Sequence, residues 1–213
     1  AESGFIKAHL KRPGEILQNY AQGGDLEPYI FNHDMNKGYG NSMTAPKDIT
    51  DTGYAEHLLL SLCETVAARL RQDNVKAGEL SIHITTYEFQ HFAKQKQLMS
   101  STDVTEELFK EACITFRALW DNHTPIRQIG VHVSKVSADI GRQYNLFDLQ
   151  KYDRLEKLNH TVDAIRKKYG EDAIMRASFL KDSVPHMGGG LDKERRSGVT
   201  VGINIMDEKV RKV

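Results

Sequence analysis

Leu58, Leu59, Leu62, Val66 and Leu70 recur every three to four residues through 54–72, and Glu56, Glu64, Arg69 and Arg71 fill the positions between them. This spacing lines one stripe of a helix with apolar groups and leaves the charges to solvent, which predicts an amphipathic helix. The period then changes. Over 79–88, Leu80, Ile82 and Ile84 alternate with Ser81, His83 and Thr85, a two-residue repeat that sends successive side chains to opposite faces of a strand. A turn near Glu88–Gln90 leads into a second strand at about 91–100. Asp103, with Glu106 three positions on, has the form of a capping box. Leu108, Phe109, Ala112, Cys113, Phe116, Leu119 and Trp120 then form the stripe of a helix that Pro125 ends. Residues 126–136 alternate again, with Ile129, Val131 and Val133 against Gln128, His132 and Ser134. Ahead of the first of these helices, 37–49 reads as an extended segment whose glycines and Pro46 favour a sheet edge.

The order β-α-β-β-α-β predicts an α+β domain, ferredoxin-like or split, with a four-stranded sheet and two helices on one face. The helices bury the apolar positions and leave the other face open. That open face carries Ser81, His83, Thr85, Gln128, His132 and Ser134, either an ordinary solvated surface or a docking surface for a nucleic-acid backbone. Outside this unit, residues 1–35 are broken by Pro13, Gly14, Gly23, Gly24 and Pro28 and leave room for one short helix, about 14–21. They read as the tail of a preceding domain. Residues 138–150 form a polar linker interrupted by Leu146 and Phe147, followed by a helix over 151–169 built on Leu155, Leu158, Val162, Ile165 and Tyr169, with Gly170 at its C-terminal cap. The chain then ends in Gly188–Gly190, a charged run from Asp192 to Arg196, and a short alternation.

Charge changes the picture by what it withholds. Lys plus Arg and Asp plus Glu each number 29 in 213 residues, and no segment is a basic block of the kind that advertises nucleic-acid binding. Affinity for DNA would have to come from a local patch and from backbone amides. No stretch approaches a membrane span, and the start lacks the basic and apolar regions of a signal peptide, so a cytoplasmic home is the expectation. Cys63 and Cys113 fall in the two predicted helices and are most simply small buried apolar residues, a disulfide or metal role being the alternative. The histidines are scattered without zinc-ligand spacing, and the triple glycine lacks the residues of a phosphate loop.

Three segments, KGYGNSMTAPKDIT at 37–50, ETVAARLRQDNVKAGELSIHI at 64–84, and PIRQIGVHVSKV at 125–136 followed by QYNLF at 143–147 and DAIRKKYGEDAIMRAS at 163–178, together resemble the C-terminal, little-finger region of Y-family translesion DNA polymerases. The closest likeness is to the UmuC-like Gram-positive branch. The resemblance runs over about 36–180 and implies four parts: a thumb-domain remnant at 1–35, a little-finger domain at 36–137, a linker at 138–150, and a C-terminal helical extension at 151–213. It also implies a function, non-sequence-specific and salt-sensitive binding of duplex primer–template DNA in translesion repair and the SOS response. Carried over by position, the DNA contacts would be Lys37, Gly40, Asn41, Ser42 and Thr44 on the first strand, His91, Lys94 and Lys96 on the third, and Ser134 and Lys135 on the last.

QYNLF resembles a sliding-clamp-binding peptide, with Gln143 at the pocket rim and Leu146 and Phe147 inside, although Tyr144 departs from the usual leucine. A polar linker gains from a Leu-Phe pair only when something buries it, at ~1.5–3 kcal/mol for each side chain. That something is a clamp or the chain's own little finger. The metal-holding carboxylates of the family's palm are not found, so the expectation is no cofactor, no metal site and no nucleotidyl transfer in this chain, with magnesium belonging to the parent polymerase. Two other readings remain: a module that binds another repair or SOS-response protein through the open face or the tail, and a small-molecule enzyme, for which no convergent acid–base or nucleophilic set is present. Arg166, Lys167, Lys168, Arg176, Arg195 and Arg196 give the tail a positive surplus that could extend the DNA grip or bind an acidic partner.

Overall fold

A computed structural model of the protein describes residues 3–24, 36–138, 149–180 and 184–188. The chain divides into two units, Ala1–Met35 and Asn36–Val213. In the first, α1 (Ser3–Ala21) is two helical pieces joined at Lys11, whose φ of 51° and ψ of −134° break the spiral. Pro13 opens the second piece, where a fixed φ and a missing N–H cost least. Gly14 sits against Ile6 and Leu10, so the pieces close on each other where no side chain intervenes. The single helix expected at 14–21 is this second piece; the piece before Lys11 is an addition.

The second unit runs β1 (Gly38–Ile49), α2 (Thr52–Gln72), β2 (Lys76–Thr86), β3 (His91–Thr102), α3 (Thr105–Arg117), β4 (Ile126–Ser137) and α4 (Leu149–Tyr169). All pairings are antiparallel and the sheet order is β1-β4-β2-β3. β4 is inserted between β1 and β2, and β2 between β3 and β4, so the domain is two interlocked split β-α-β units. The two strands with the cleanest apolar alternation are central. β1, which contains Pro46 at its register break, takes an edge as expected. Leu80, Ile82, Ile84, Ile129, Val131 and Val133 meet Leu58, Leu59, Leu62, Val66 and Leu70 of α2 and Leu108, Ala112 and Phe116 of α3 in one core. Cys63 and Cys113 are free and buried in this helical layer. Burial raises both thiols, Cys113 to about 12, so neither ionises at neutral pH.

Asp51 caps α2 by accepting from the Tyr54 amide at 2.7 Å. The capping box expected at Asp103 and Glu106 does not form. Val104 is the N-cap of α3 and no side chain caps it. Instead Arg71, at the end of α2, donates to the Asp103 carbonyl at 2.7 Å and to the Thr105 hydroxyl at 3.3 Å. Glu106 turns away to Arg176 and Asn159. Helical structure in α3 stops at Arg117, and Trp120 folds back to stack on Phe116 with its indole N–H bonded to the Thr124 carbonyl at 2.8 Å.

α4 and the segments around it add a third layer on the far side of the helices. The apolar repeat in α4 is not its buried seam, because Leu158 and Tyr169 are 51% and 66% exposed. The seam is Tyr152, Asn159 and Arg166, seven residues apart. Polar pairing carries it: Asp163 meets Arg71, Glu156 meets Lys76 at 3.4 Å, and Arg166 meets Glu64 at 3.5 Å. Glu64 and Arg71, expected in solvent, are therefore buried. Arg176 reaches Glu64 and Glu106, each at 2.6 Å. Residues 184–188 finish the layer along α2, where the Ser61 hydroxyl donates to the Pro185 carbonyl at 2.6 Å and accepts from the Gly188 amide at 2.7 Å. Gly170, with φ of 100°, ends α4 as expected, its amide bonded to the Arg166 carbonyl at 2.8 Å. No described helix is long and apolar enough to cross a membrane.

Candidate nucleic-acid interface

The strand registers set the sheet's other face out in four rows. Gly38, Ser134, Glu79 and Gln97 form the first; Gly40, His132, Ser81 and Gln95 the second; Ser42, Gly130, His83 and Ala93 the third; Thr44, Gln128, Thr85 and His91 the fourth. Side chains directly opposite in adjacent strands share a face, so every position here points away from α2 and α3. Hydrogen bonds join the third and fourth rows across all four strands. Gln128 Nε2 donates to Ser42 Oγ at 3.3 Å, Thr85 Oγ1 donates to Gln128 Oε1 at 3.4 Å, and Thr85 Oγ1 and His91 Nδ1 are 3.0 Å apart. The rows hold one carboxylate, Glu79. Lys135 pairs with it at 2.8 Å and Ser134 donates to it at 2.7 Å. The Lys135, Ser134 and Gln95 hydrogen bonds, in that order, hold the Glu79 carboxyl down at about 2.

The edge of β1 supplies backbone donors. Arg69 donates to the Gly40 carbonyl at 3.2 Å, so that carbonyl points away from β4. In an antiparallel ladder a residue's N–H and C=O face the same way and successive residues alternate. Gly38, Ser42 and Thr44 therefore turn their amides outward with Gly40. The Ser42 amide is bonded to Asn41 Oδ1 at 3.1 Å, as this orientation requires.

Of the residues singled out from sequence, Gly40, Ser42, Thr44, His91 and Ser134 come together on this face. Lys37 is exposed at its corner, and Lys135, at φ 52°, reaches it through Glu79. Asn41, Lys94 and Lys96 do not join them. Their partners in register are Val131, Ile82 and Leu80, which places them on the helix side. Lys94 donates to the Ala118 carbonyl at 3.1 Å, Lys96 pairs with Glu111 on α3, and Asn41 bonds the Gly188 carbonyl. Arg166 pairs with Glu64, and Arg176 with Glu64 and Glu106, on the helix side of the domain. His83 and His132 lie on the open face where the sequence placed them, Gln95 and Gln97 join them there in register, and Arg69 stands beside the β1 edge, a position no local pattern reveals. Gln143, Leu146 and Phe147, with Arg195 and Arg196, lie outside the described residues. Among the described residues no three His, Cys, Asp or Glu side chains gather as metal ligands.

Residues 36–146 match the model of the impB/mucB/samB family C-terminal domain. The chain belongs to this family. Its little-finger α+β fold and its likeness to the UmuC-related branch rest on that match and on curated relatives from Gram-positive bacteria. DNA polymerase IV of Clostridium acetobutylicum is 34% identical over 177 residues, which are 83% of this chain and 44% of that protein. DNA polymerase IV 2 of Halalkalibacterium halodurans is 33% identical over 84% of this chain and 44% of its own length. DNA polymerase IV 2 of Bacillus subtilis is 31% identical over 78% and 41%. A solved Y-family DNA polymerase chimera covers 65% of this chain and 39% of its own, at 17% identity and a TM-score of 0.46. The chain spans less than half the length of the curated relatives it matches. Within the family match fall β1 through β4, the whole polar face and its edge.

Proposed function

We propose that this chain is the DNA-gripping C-terminal part of a translesion DNA polymerase, and that it holds duplex primer–template DNA without reading its sequence. The observation that carries the proposal is the helix-free polar face bordered by the outward amides of Gly38, Gly40 and Thr44, with its only carboxylate already paired to Lys135. Backbone amides and hydroxyls bond phosphate oxygens irrespective of the base attached, and contacts of that kind position a protein without conferring specificity. The glycines at 38 and 40 add no side chain of their own beside the outward amides, so a phosphate can approach the strand edge closely. Nucleotidyl transfer and its magnesium ions belong, in this reading, to the catalytic part of the whole polymerase, acting in the cytoplasm during the response to DNA damage. The QYNLF peptide adds a tether to the sliding clamp, supported by its sequence.

Fluorescence anisotropy with a labelled primer–template tests the grip. Equal affinity for several unrelated sequences, weakened several-fold by Gly40→Val, is the expected result, and absence of binding at low salt would sink it. For the tether, surface plasmon resonance on immobilised clamp should lose its signal when Leu146 and Phe147 are both changed to Ala. Unaltered binding by that variant would remove the peptide from the proposal.

A further inference from the structure

The open face has a floor of glycine under two imidazoles. A Cβ at Gly130 would collide with the His83 ring, and a Cβ at Gly38 or Gly40 would stand 3.0 Å from the His132 ring. Both rings therefore lie down along the sheet, one over β4 and the other over β1, and give a flat surface that larger residues at those positions would forbid. The rows that hold them contain no lysine or arginine at any paired position. Titratable groups around the pair are few: Glu79 from β2, which is paired with Lys135 of β4, and His91 from β3, which is bonded to Thr85. β1 contributes Gly38, Gly40, Ser42 and Thr44, none of which ionises. In a chain with no net charge, the imidazoles add positive charge to a face whose lysines are Lys37 at its corner and Lys135, already paired with Glu79.

We propose that His83 and His132 are phosphate-contacting residues of the open face, donating imidazole N–H groups to the DNA backbone and taking up protons as they do so. This rests on the DNA-binding function proposed above and names the side chains that act beside the edge amides. Burial and the neighbouring His132 keep the His83 imidazole below its ordinary value in the free protein. A phosphate set against either ring favours its charged form and raises its pKa in the complex. Affinity is then highest below the free-protein pKa and declines as pH rises through the pKa of the complex. Glu79, held at about 2, does not titrate in this range.

The experiment is an anisotropy titration of the whole chain with labelled primer–template duplex at constant ionic strength, between about pH 7.5 and pH 6. Wild-type affinity should rise by roughly fivefold or more toward pH 6. The double variant His83→Gln/His132→Gln should flatten that rise, while His160→Gln on α4 should preserve it. A rise undiminished in the double variant, or a wild-type affinity that ignores pH, overturns the proposal while leaving DNA binding standing. No duplex binding at either pH overturns the parent reading and this one together. Should the double variant fail to fold, NMR of the wild-type imidazole C–H signals decides. Duplex DNA should move the His83 and His132 titrations to higher pH, and unmoved titrations reject their assignment.

Discussion

On an edge strand a step of one residue carries a side chain from the open face to the helix face. Lys94 and Lys96 illustrate the consequence. Their ammonium groups reach the Ala118 carbonyl and Glu111, where inward-turned charges keep β3 from pairing with a strand of another molecule. Changing both to Gln should leave duplex affinity within about twofold, because neither ammonium group lies on the open face, whereas Lys37→Gln should weaken it measurably in the same anisotropy assay. A larger loss from the double variant would mean that DNA wraps the β3 edge. Gly130→Ala asks a related question of the face itself. The new methyl group must push the His83 ring away from the sheet, so duplex affinity should fall several-fold while urea denaturation shows a loss of only about 1 kcal/mol. The alternation made this face legible in the sequence, since one polar position on a strand implies the others. It did not show where the lysines' partners would come from, because that depends on α3 lying across β3.

At the scale of elements, α4 is held to the domain by charge. Glu64 is 3% and Arg166 6% exposed at their side chains. Burial would raise the Glu64 carboxyl, but the His186 hydrogen bond and the Arg166 and Arg176 guanidinium groups outweigh it and hold it low. Glu106 is held low in the same way, burial being outweighed by Arg176 and Asn159. Glu64→Gln removes the shared anion and leaves two guanidinium groups short of a partner, which should cost about 3 kcal/mol. Urea denaturation should register the loss, and limited proteolysis should cut first within 149–188. A carboxyl held low in the folded state stabilises it above the unfolded value of 4.5, and that stability fades as pH falls through the folded value. Thermal melting should accordingly be flat above about pH 5 and fall below it, with the contribution of Glu79 lasting to about 2. A melting temperature that holds constant to pH 3 would contradict this account.

For the molecule as a whole, equal numbers of acidic and basic residues rule out long-range attraction as the source of DNA affinity. Each neutralised phosphate adds about 0.9 to the slope of log affinity against log salt. With the lysines of β3 turned to the helices and Arg166 and Arg176 tied to carboxylates, only a few cations border the open face. A slope between about −2 and −4 is the expectation. A slope near −8 would require a cationic surface elsewhere in the chain. The third layer also has a consequence for the docking surface: the described part of the C-terminal extension covers the backs of the helices, with partners on α2, α3 and the starts of β1 and β2.

The sequence by itself determined the element order, the two faces of β2 and β4, the core stripes of α2 and α3 and the family, because period and local composition act over a few residues. Strand order was beyond it, since β-α-β-β-α-β admits more than one way of interleaving two split units. The true seam of α4 was beyond it as well. A helix that docks through Asn159, Asp163 and Arg166 has an apolar repeat that does not mark this polar seam, and its partners Arg71, Glu64 and Glu106 sit about 50 to 100 residues earlier in the chain. Such pairings exist only after the backbone has closed. The same is true of the glycine floor: Gly130 marks nothing until β2 brings His83 across it.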